Sequence, residues 1–257
     1  MRRLGAAVAG VALAAVLAAS AGAITYGVPD GNGHPEVGAL LAQQAFSDGT
    51  WEECTGTLIA PQVFLTAEHC DEGVPGVYVT FDTHYDSTTG TTYHGTWVGD
   101  PLYRKANSDP NDLAVVILDQ PVQGITPALL PAANSLASLR GDQQFTSVGY
   151  GAQSVTSGKG GGGKNYHYED TRYVSSGTLN SLTPSWLRIS QNPSTGNGGT
   201  CYGDSGGPNF LGAGSSETRI IAGTTISGDT ACRSTNVDYR LDTPSARAFL
   251  GQFVALP

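Results

Sequence analysis

A serine set between glycines is the most informative feature of this sequence of 257 residues. Residues 203–208 read Gly-Asp-Ser-Gly-Gly-Pro, with Ser205 in third place. The flanking glycines allow a tight turn that exposes the serine hydroxyl, and the backbone N–H groups of such a turn can point at a developing oxyanion. The segment therefore indicates nucleophilic catalysis by Ser205.

The order of residues along the chain decides between two settings for this serine. Taken alone, Gly-x-Ser-x-Gly also fits the nucleophile elbow of an α/β-hydrolase, a fold in which the catalytic histidine follows the serine. All 5 histidines of this chain precede Ser205. The elbow interpretation therefore fails, and the base must come from upstream.

His69 and Asp112 are the best partners for Ser205. His69 ends an apolar stretch and precedes Cys70, whose predicted disulfide would hold it in place. Asp112 stands before the most apolar run, residues 113–118, where its carboxylate would be partly desolvated. A buried acid can hold an imidazole in the productive tautomer and stabilise its protonated form. Each residue alone has an ordinary structural interpretation, but their combination favours a Ser-His-Asp triad.

Short apolar runs separated by turn residues predict an all-β scaffold for this chemistry. Seven runs are typical of strands: residues 57–60, 63–66, 77–81, 113–118, 145–149, 186–189 and 219–225. Such a pattern suggests a sandwich or barrel, with residues 127–138 as a linker between two halves. One helix is predicted at about residues 244–254, because Asp242 or Thr243 can cap it, Pro244 suits its first turn and apolar residues recur with helical spacing.

The first 23 residues are predicted to be a secretion signal. Arg2 and Arg3 precede an apolar run, residues 4–19, and Ala-Gly-Ala at 21–23 has the small-x-small form that signal peptidase accepts. The alternative is an uncleaved anchor, but the run is short for crossing a bilayer. The net charge of −9 gives no support for nucleic-acid binding. We expect a secreted protein without stable membrane association after cleavage.

Four cysteines fit an exported protein. Cys54, Cys70, Cys201 and Cys232 can pair in three ways. We favour the sequence-local pairing, Cys54 with Cys70 and Cys201 with Cys232, because it staples two separate regions. No C-x-x-C motif is present, which removes the main support for a zinc ribbon or a thioredoxin-like redox site.

Two further patterns favour ordinary structure over a ligand site. The glycine-rich segment 158–164 is close to a phosphate-binding loop, but Asn165 replaces the required Ser or Thr. His84 and His94 lie near acidic residues without the ligand spacing of a metal site. We therefore predict no cofactor and no metal.

Three motifs together resemble those of the trypsin/chymotrypsin-like serine peptidases, particularly the secreted bacterial members. They are Thr-Ala-Glu-His-Cys at 66–70, Asn-Asp-Leu-Ala at 111–114 and Gly-Asp-Ser-Gly-Gly-Pro at 203–208, with Gly-Tyr-Gly at 149–151 as a weaker match. The resemblance covers about residues 24–254. It implies two six-stranded antiparallel β-barrels with a C-terminal helix, the first within residues 24–135 and the second within residues 136–257. It also implies the two local disulfides, protein or peptide substrates, and proteinaceous protease inhibitors as partners; we expect a monomer.

The resemblance also assigns roles to the candidate residues. Ser205 would attack the scissile carbonyl, with His69 as base and then acid, Asp112 orienting it, and the N–H groups of Gly203 and Ser205 as the oxyanion hole. Glu68 departs from the family, which usually has a small residue there, and the chain has fewer disulfides than many animal relatives. Neither departure removes a catalytic group. The alternative functions are a non-catalytic homologue on the same scaffold and an esterase with the same triad.

The primary specificity pocket is also inferred from the resemblance. Its expected residues are Gly199, Thr200, Ser227 and Gly228. Gly199 stands six positions before the nucleophile, where relatives that cleave after Arg or Lys have Asp. We therefore predict a preference for uncharged, apolar or aromatic P1 residues, unless Asp229 or Asp238 enters the pocket from its wall.

Activation is the last expectation from the resemblance. Family members become active when a freed N-terminal ammonium pairs with the acid before the nucleophile, here Asp204. Cleavage after residue 23 would expose Ile24-Thr-Tyr-Gly, which is similar to the family's mature start. No Lys or Arg lies between Arg3 and Arg104, so cutting after a basic residue is excluded there. We predict Ile24 and Asp204 as the activation pair; the alternative is another mature start, with other partners for Asp204.

Overall fold

The computed structural model describes residues 24–74, 76–104, 110–157 and 163–257, so the predicted signal segment lies outside the described residues. A short strand, β1 (Val28–Pro29), precedes a closed six-stranded antiparallel barrel. The barrel strands are β2 (Val37–Leu41), β3 (Glu52–Ala60), β4 (Val63–Thr66), β5 (Gly76–Thr80), β6 (Tyr93–Gly99) and β7 (Ala114–Leu118). They pair in the order β2-β3-β4-β7-β6-β5, and β5 closes onto β2.

A second closed six-stranded antiparallel barrel follows, as the family resemblance implied. Its strands are β8 (Gln144–Gly149), β11 (Tyr173–Leu182), β12 (Trp186–Ser190), β13 (Pro208–Leu211), β14 (Ile221–Gly228) and β15 (Thr235–Arg240). β8 pairs with both β11 and β13, which closes the ring. β9 (Ser154–Ser157) and β10 (Lys164–His167) form a separate hairpin, and β1 pairs with β11. Each of the seven predicted apolar runs coincides with a strand, although β14 begins later than the predicted residue 219.

The largest hydrophobic core lies between the two barrels. It joins Val115 of the first barrel to Phe210 and Tyr239 of the second and to Phe249 of the C-terminal helix. The neighbouring Val116 instead belongs to the core inside the first barrel. Because successive side chains of a strand point to opposite faces, β7 is buried on both faces and its sequence is a continuous apolar run.

The C-terminal helix, α1 (Pro244–Leu250), packs against this core. Thr243 is its cap, since its side chain accepts a hydrogen bond from the N–H of Ala246. The prediction of residues 244–254 ran past the true end, because Gly251 follows Leu250 and the chain continues as turns. Among the described residues, no helix is long and apolar enough to cross a membrane.

A buried arginine joins the two barrels. Arg172 directly precedes β11 in the second barrel, and its guanidinium donates to the Asp30 carboxylate at 2.9 Å. It also donates to the carbonyl oxygens of Gly31, Val37 and Phe81, of which the last two lie on strands of the first barrel or directly after one. These contacts fix the barrels relative to one another around the cleft described next.

Candidate active site

Neighbouring strands bring His69 and Asp112 together. His69 lies in a single 3-10 turn, Glu68–Cys70, after β4, and Asp112 lies just before β7. Thr66 pairs with Ala114 in the antiparallel ladder, so the end of β4 meets the start of β7. The Asp112 carboxylate accepts hydrogen bonds from His69 Nδ1 at 2.8 Å and from the His69 backbone N–H at 2.9 Å.

The two residues differ in their exposure to solvent. The side chain of Asp112 is 5% exposed, whereas that of His69 is 31% exposed. A buried, ionised carboxylate bonded to Nδ1–H fixes the tautomer of the imidazole and leaves Nε2 as its basic nitrogen. The pair therefore has the arrangement of a general base with its orienting acid.

Ser205 lies on a turn before β13 whose conformation requires glycine. Gly203 and Gly206 have φ angles of +94° and +81°, which residues with a Cβ rarely adopt. A Cβ on Gly206 would lie only 2.1 Å from Thr66 Oγ1. The turn is also tied to the first barrel, because the Ser205 carbonyl accepts a hydrogen bond from the N–H of Thr55 at 2.9 Å.

One cleft contains the groups expected to carry out chemistry. It has a volume of about 410 Å³, and His69, Gly203 and Ser205 line it together with residues 225–229. His69 and Ser205 come from different barrels, and Asp112 stands behind His69. The structure therefore brings the three predicted triad residues to one place.

Two disulfides frame this cleft. Cys54–Cys70 anchors the His69 turn to β3, and Cys201–Cys232 joins the segment before Ser205 to the loop after β14. The predicted local pairing is confirmed. Ligand atoms of Cys54, His69 and Cys70 lie within 4.8 Å of one another, but both sulfurs are used in the disulfide, so this cluster does not form a metal site.

The predicted pocket residues fall into two groups. Those that line the cleft are Thr200, Ser227 and Gly228. Gly199 lies beside them in the chain but packs against Gln191, whose side chain would be 2.1 Å from a Cβ at position 199. The backbone of Gly199 also pairs with Thr25. The first three therefore face the cleft, and Gly199 contacts the segment that follows Ile24.

Of the two acids that could enter the pocket, Asp229 lines the cleft, whereas Asp238 does not. Burial would raise the pKa of Asp229, but hydrogen bonds from the backbone N–H groups of Thr235 and Ser234 hold it below its usual value. Asp238 is fully buried on β15, where it accepts a hydrogen bond from Asn209 at 2.7 Å. Burial raises its pKa well above the usual range.

Both members of the predicted activation pair are buried. The Asp204 carboxylate accepts hydrogen bonds from the backbone N–H groups of Gly151 at 2.9 Å and Cys201 at 2.7 Å. Burial nevertheless raises its pKa to about 7. Ile24 is fully buried against Tyr173 and has a φ angle of 53°, which is uncommon for a β-branched residue.

Two glutamates complete the surroundings of His69. Glu68, whose role the sequence left open, accepts a hydrogen bond from Trp97 Nε1 at 2.9 Å and so packs against the first barrel. Glu53 lines the cleft and was not anticipated. Burial, with repulsion from two neighbouring acids, raises the pKa of Glu53 to about 7. The sequence contained one signal for Glu53: it directly precedes Cys54, which was predicted to form a disulfide with Cys70, the residue after His69.

Comparison with known proteins gives the same architecture. The sequence model of the family described as Trypsin matches residues 32–249. Human heparin binding protein matches with a TM-score of 0.66 and 15% identity, over 89% of this chain and 95% of that chain. A structure titled "Atomic resolution structure of HBP" matches with a TM-score of 0.65 and 16% identity, over 90% of this chain and 97% of that chain. No curated protein sequence gave a significant match.

Proposed function

Because the chain belongs to the trypsin family, we propose that it is a secreted serine endopeptidase whose triad is His69, Asp112 and Ser205. One observation carries this proposal: His69, which is hydrogen-bonded to Asp112, lines the same cleft as Ser205. This constellation supports acyl transfer through a serine nucleophile. The chemistry requires no cofactor.

The reaction follows from the roles of these atoms. Ser205 Oγ attacks the carbonyl carbon of the scissile bond while His69 Nε2 takes the hydroxyl proton, and Asp112 stabilises the imidazolium. The N–H groups of Gly203 and Ser205 donate to the oxyanion, each contributing about 3 kcal/mol to lowering the barrier. His69 gives the proton to the leaving amine, which departs and leaves an acyl-enzyme. Water then attacks the ester by the same route, and the carboxylic acid product is released.

The cleft is also proposed to prefer uncharged, apolar or aromatic P1 residues. Gly199 supplies no acid, and both carboxylate oxygens of Asp229 are engaged by N–H groups of its own turn, among them those of Ser234 at 2.8 Å and Ala231 at 3.2 Å. Measuring kcat/KM on matched peptides with Phe, Tyr or Leu against Arg or Lys at P1 tests this preference. Faster cleavage after Arg or Lys would contradict it.

Export and activation are proposed to be one cleavage, after residue 23. A freed ammonium on the buried Ile24 would supply a counter-ion for Asp204, which is desolvated and accepts hydrogen bonds from the backbone N–H groups of Gly151 and Cys201. Loss of such a buried partner is strongly unfavourable. N-terminal sequencing of secreted, active protein tests this; a start other than Ile24, or full activity with an extra residue before it, would contradict it.

A non-catalytic homologue on the same scaffold is the competing function. Its simplest sign would be a missing triad member, whereas His69, Asp112 and Ser205 are all present. The heparin binding named for a structural neighbour gains no support here, because a net charge of −9 opposes association with an anionic polymer.

Labelling of the mature protein with a fluorophosphonate probe decides between these functions. We expect label on Ser205 in the folded protein, none in Ser205→Ala, and undiminished label in Ser194→Ala, an exposed serine that serves as the matched control. Failure of the folded wild-type protein to react would refute the peptidase proposal. Digestion of a peptide library with mass-spectrometric readout then gives the cleavage preference, and turnover of esters without peptides would indicate an esterase.

A further inference from the structure

A buried carboxyl group that the proposed mechanism does not use packs against the turn formed by residues 203–206, which we call the oxyanion turn. Glu52, at the start of β3, is only 3% exposed. Neither of its carboxyl oxygens has a hydrogen-bond partner among the described residues. A Cβ on Gly203 would lie 2.8 Å from Glu52 Oε1 and 2.9 Å from Oε2. The carboxyl group of the first barrel therefore contacts the Cα side of Gly203 in the second barrel.

The charged groups that act on Glu52 in the described part of the chain are all acidic. They are Asp204 on the oxyanion turn, Asp170 before β11, and Glu53 on the same strand. The Asp170 carboxylate accepts a hydrogen bond from the backbone N–H of Glu52 at 2.8 Å. Tyr168 also lies close by, and its pKa is raised first by burial and then by Glu52 and Asp204.

Of the two neighbouring carboxyl groups, only Asp204 is arranged to carry a charge. Each of its oxygens accepts a backbone N–H, whereas those of Glu52 accept none. Two adjacent carboxylates in one buried site cannot both ionise at low cost. Burial, and then repulsion from Asp204, raises the pKa of Glu52 well above its usual value. The proton therefore resides on Glu52.

We propose that Glu52 is a positioning residue of the oxyanion hole, which supports Gly203 as a neutral carboxylic acid. This inference rests on the proposed peptidase function. Glu52 acts through Gly203 and Asp204 without touching the substrate. When Glu52 loses its proton, two adjacent buried carboxylates repel each other, and the turn that presents the Gly203 N–H is displaced.

Two substitutions separate the shape of Glu52 from its charge. Glu52→Gln keeps the size of the neutral acid but cannot ionise, so kcat/KM at pH 7 should stay within about threefold and the alkaline limb of kcat should move to higher pH. Glu52→Ala removes the contact with Gly203 and should lower kcat on the order of tenfold with little change in KM. Asp119→Asn, an exposed acid of the first barrel, is the matched control and should change neither.

Unfolding measurements test the same inference without activity. A group that is neutral in the fold and has an unfolded pKa near 4.5 contributes stability that is complete below that pH and is lost as the pH rises. Wild type should therefore lose stability relative to Glu52→Gln as the pH rises above the unfolded-state pKa, and should match it at a pH below that value. If that difference appears while wild type fails to react with the fluorophosphonate, the neutral Glu52 stands and the peptidase proposal fails.

Three results would overturn the inference. One is an equal dependence of stability on pH in wild type and Glu52→Gln. Another is an alkaline limb of kcat that is the same in these two proteins. The third is a loss of kcat in Glu52→Gln as large as that in Glu52→Ala, since it would show that the ionised form is the functional one.

Discussion

The substitution Arg172→Met measures how strongly the buried contacts of Arg172 between the two barrels stabilise the fold. The substitution leaves the buried Asp30 without the guanidinium at 2.9 Å and removes a donor from three backbone carbonyl groups. Removing one partner of a buried ion pair costs about 3–5 kcal/mol. In a chain of this size each kcal/mol lowers Tm by about 2–4 °C, so we expect Tm to fall by about 6–20 °C.

His34 makes this effect depend on pH. Its Nδ1 contacts Asp30 and its Nε2 contacts Glu217 at 2.7 Å. Burial alone would lower the pKa of His34, but hydrogen bonds to these two carboxylates raise it above 6.5. Its contribution to stability is therefore complete below pH 6.5 and is lost as the pH rises through the folded-state pKa. Without Arg172, protonated His34 is the cation that remains beside the Asp30 carboxylate. The loss of stability caused by Arg172→Met should therefore be larger at about pH 8.5 than at about pH 6.

Thermal unfolding followed by circular dichroism at both pH values, with the disulfides intact, provides the measurement. Arg140→Met is the matched control, because Arg140 is exposed and should change the free energy of unfolding by less than about 0.5 kcal/mol. A loss below about 1 kcal/mol in Arg172→Met would refute the estimate for the buried pair. An equal loss at both pH values would refute the role given to His34.

Three further substitutions test the site. Asp112→Asn replaces one of the two accepting carboxylate oxygens by an NH₂ donor, which favours the wrong tautomer of His69, and should lower kcat about 10⁴-fold with little change in KM; a loss smaller than about tenfold would contradict the orienting role. Gly206→Ala places a Cβ at a φ of +81° and 2.1 Å from Thr66 Oγ1, and should lower the free energy of unfolding in urea by more than about 1–2 kcal/mol; an unchanged value would mean that the turn relaxes. The pKa of Glu53 is about 7, so this residue becomes negatively charged between about pH 6 and about pH 8. Over that range, kcat/KM for a peptide with lysine just after the scissile bond should rise relative to kcat/KM for a neutral peptide, and Glu53→Gln should abolish the rise. A rise that persists in Glu53→Gln would show that another group is responsible.

The fold could be predicted where burial leaves a direct trace in the sequence. β4 is buried at every position and β7 at every position except Ile117, so these strands contain few polar residues and were recognised from the sequence. β11, Tyr173–Leu182, reads YVSSGTLNSL and was missed, because its many small polar residues show no clear alternation. Its conformation is set by hydrogen bonds to β8 and β12 rather than by its own hydrophobic pattern.

Buried polar contacts were beyond sequence reasoning because their partners lie far apart in the chain. Arg172 and Asp30 are separated by 142 positions, and a charged residue met in a sequence is normally expected at the surface. Glu52 becomes a buried neutral acid only because the oxyanion turn of the second barrel folds against β3 of the first. The same closure sets Ser205 across the cleft from His69, through the hydrogen bond between Thr55 and the Ser205 carbonyl. Local motifs thus identify the atoms proposed to react, whereas contacts between the barrels determine whether those atoms meet.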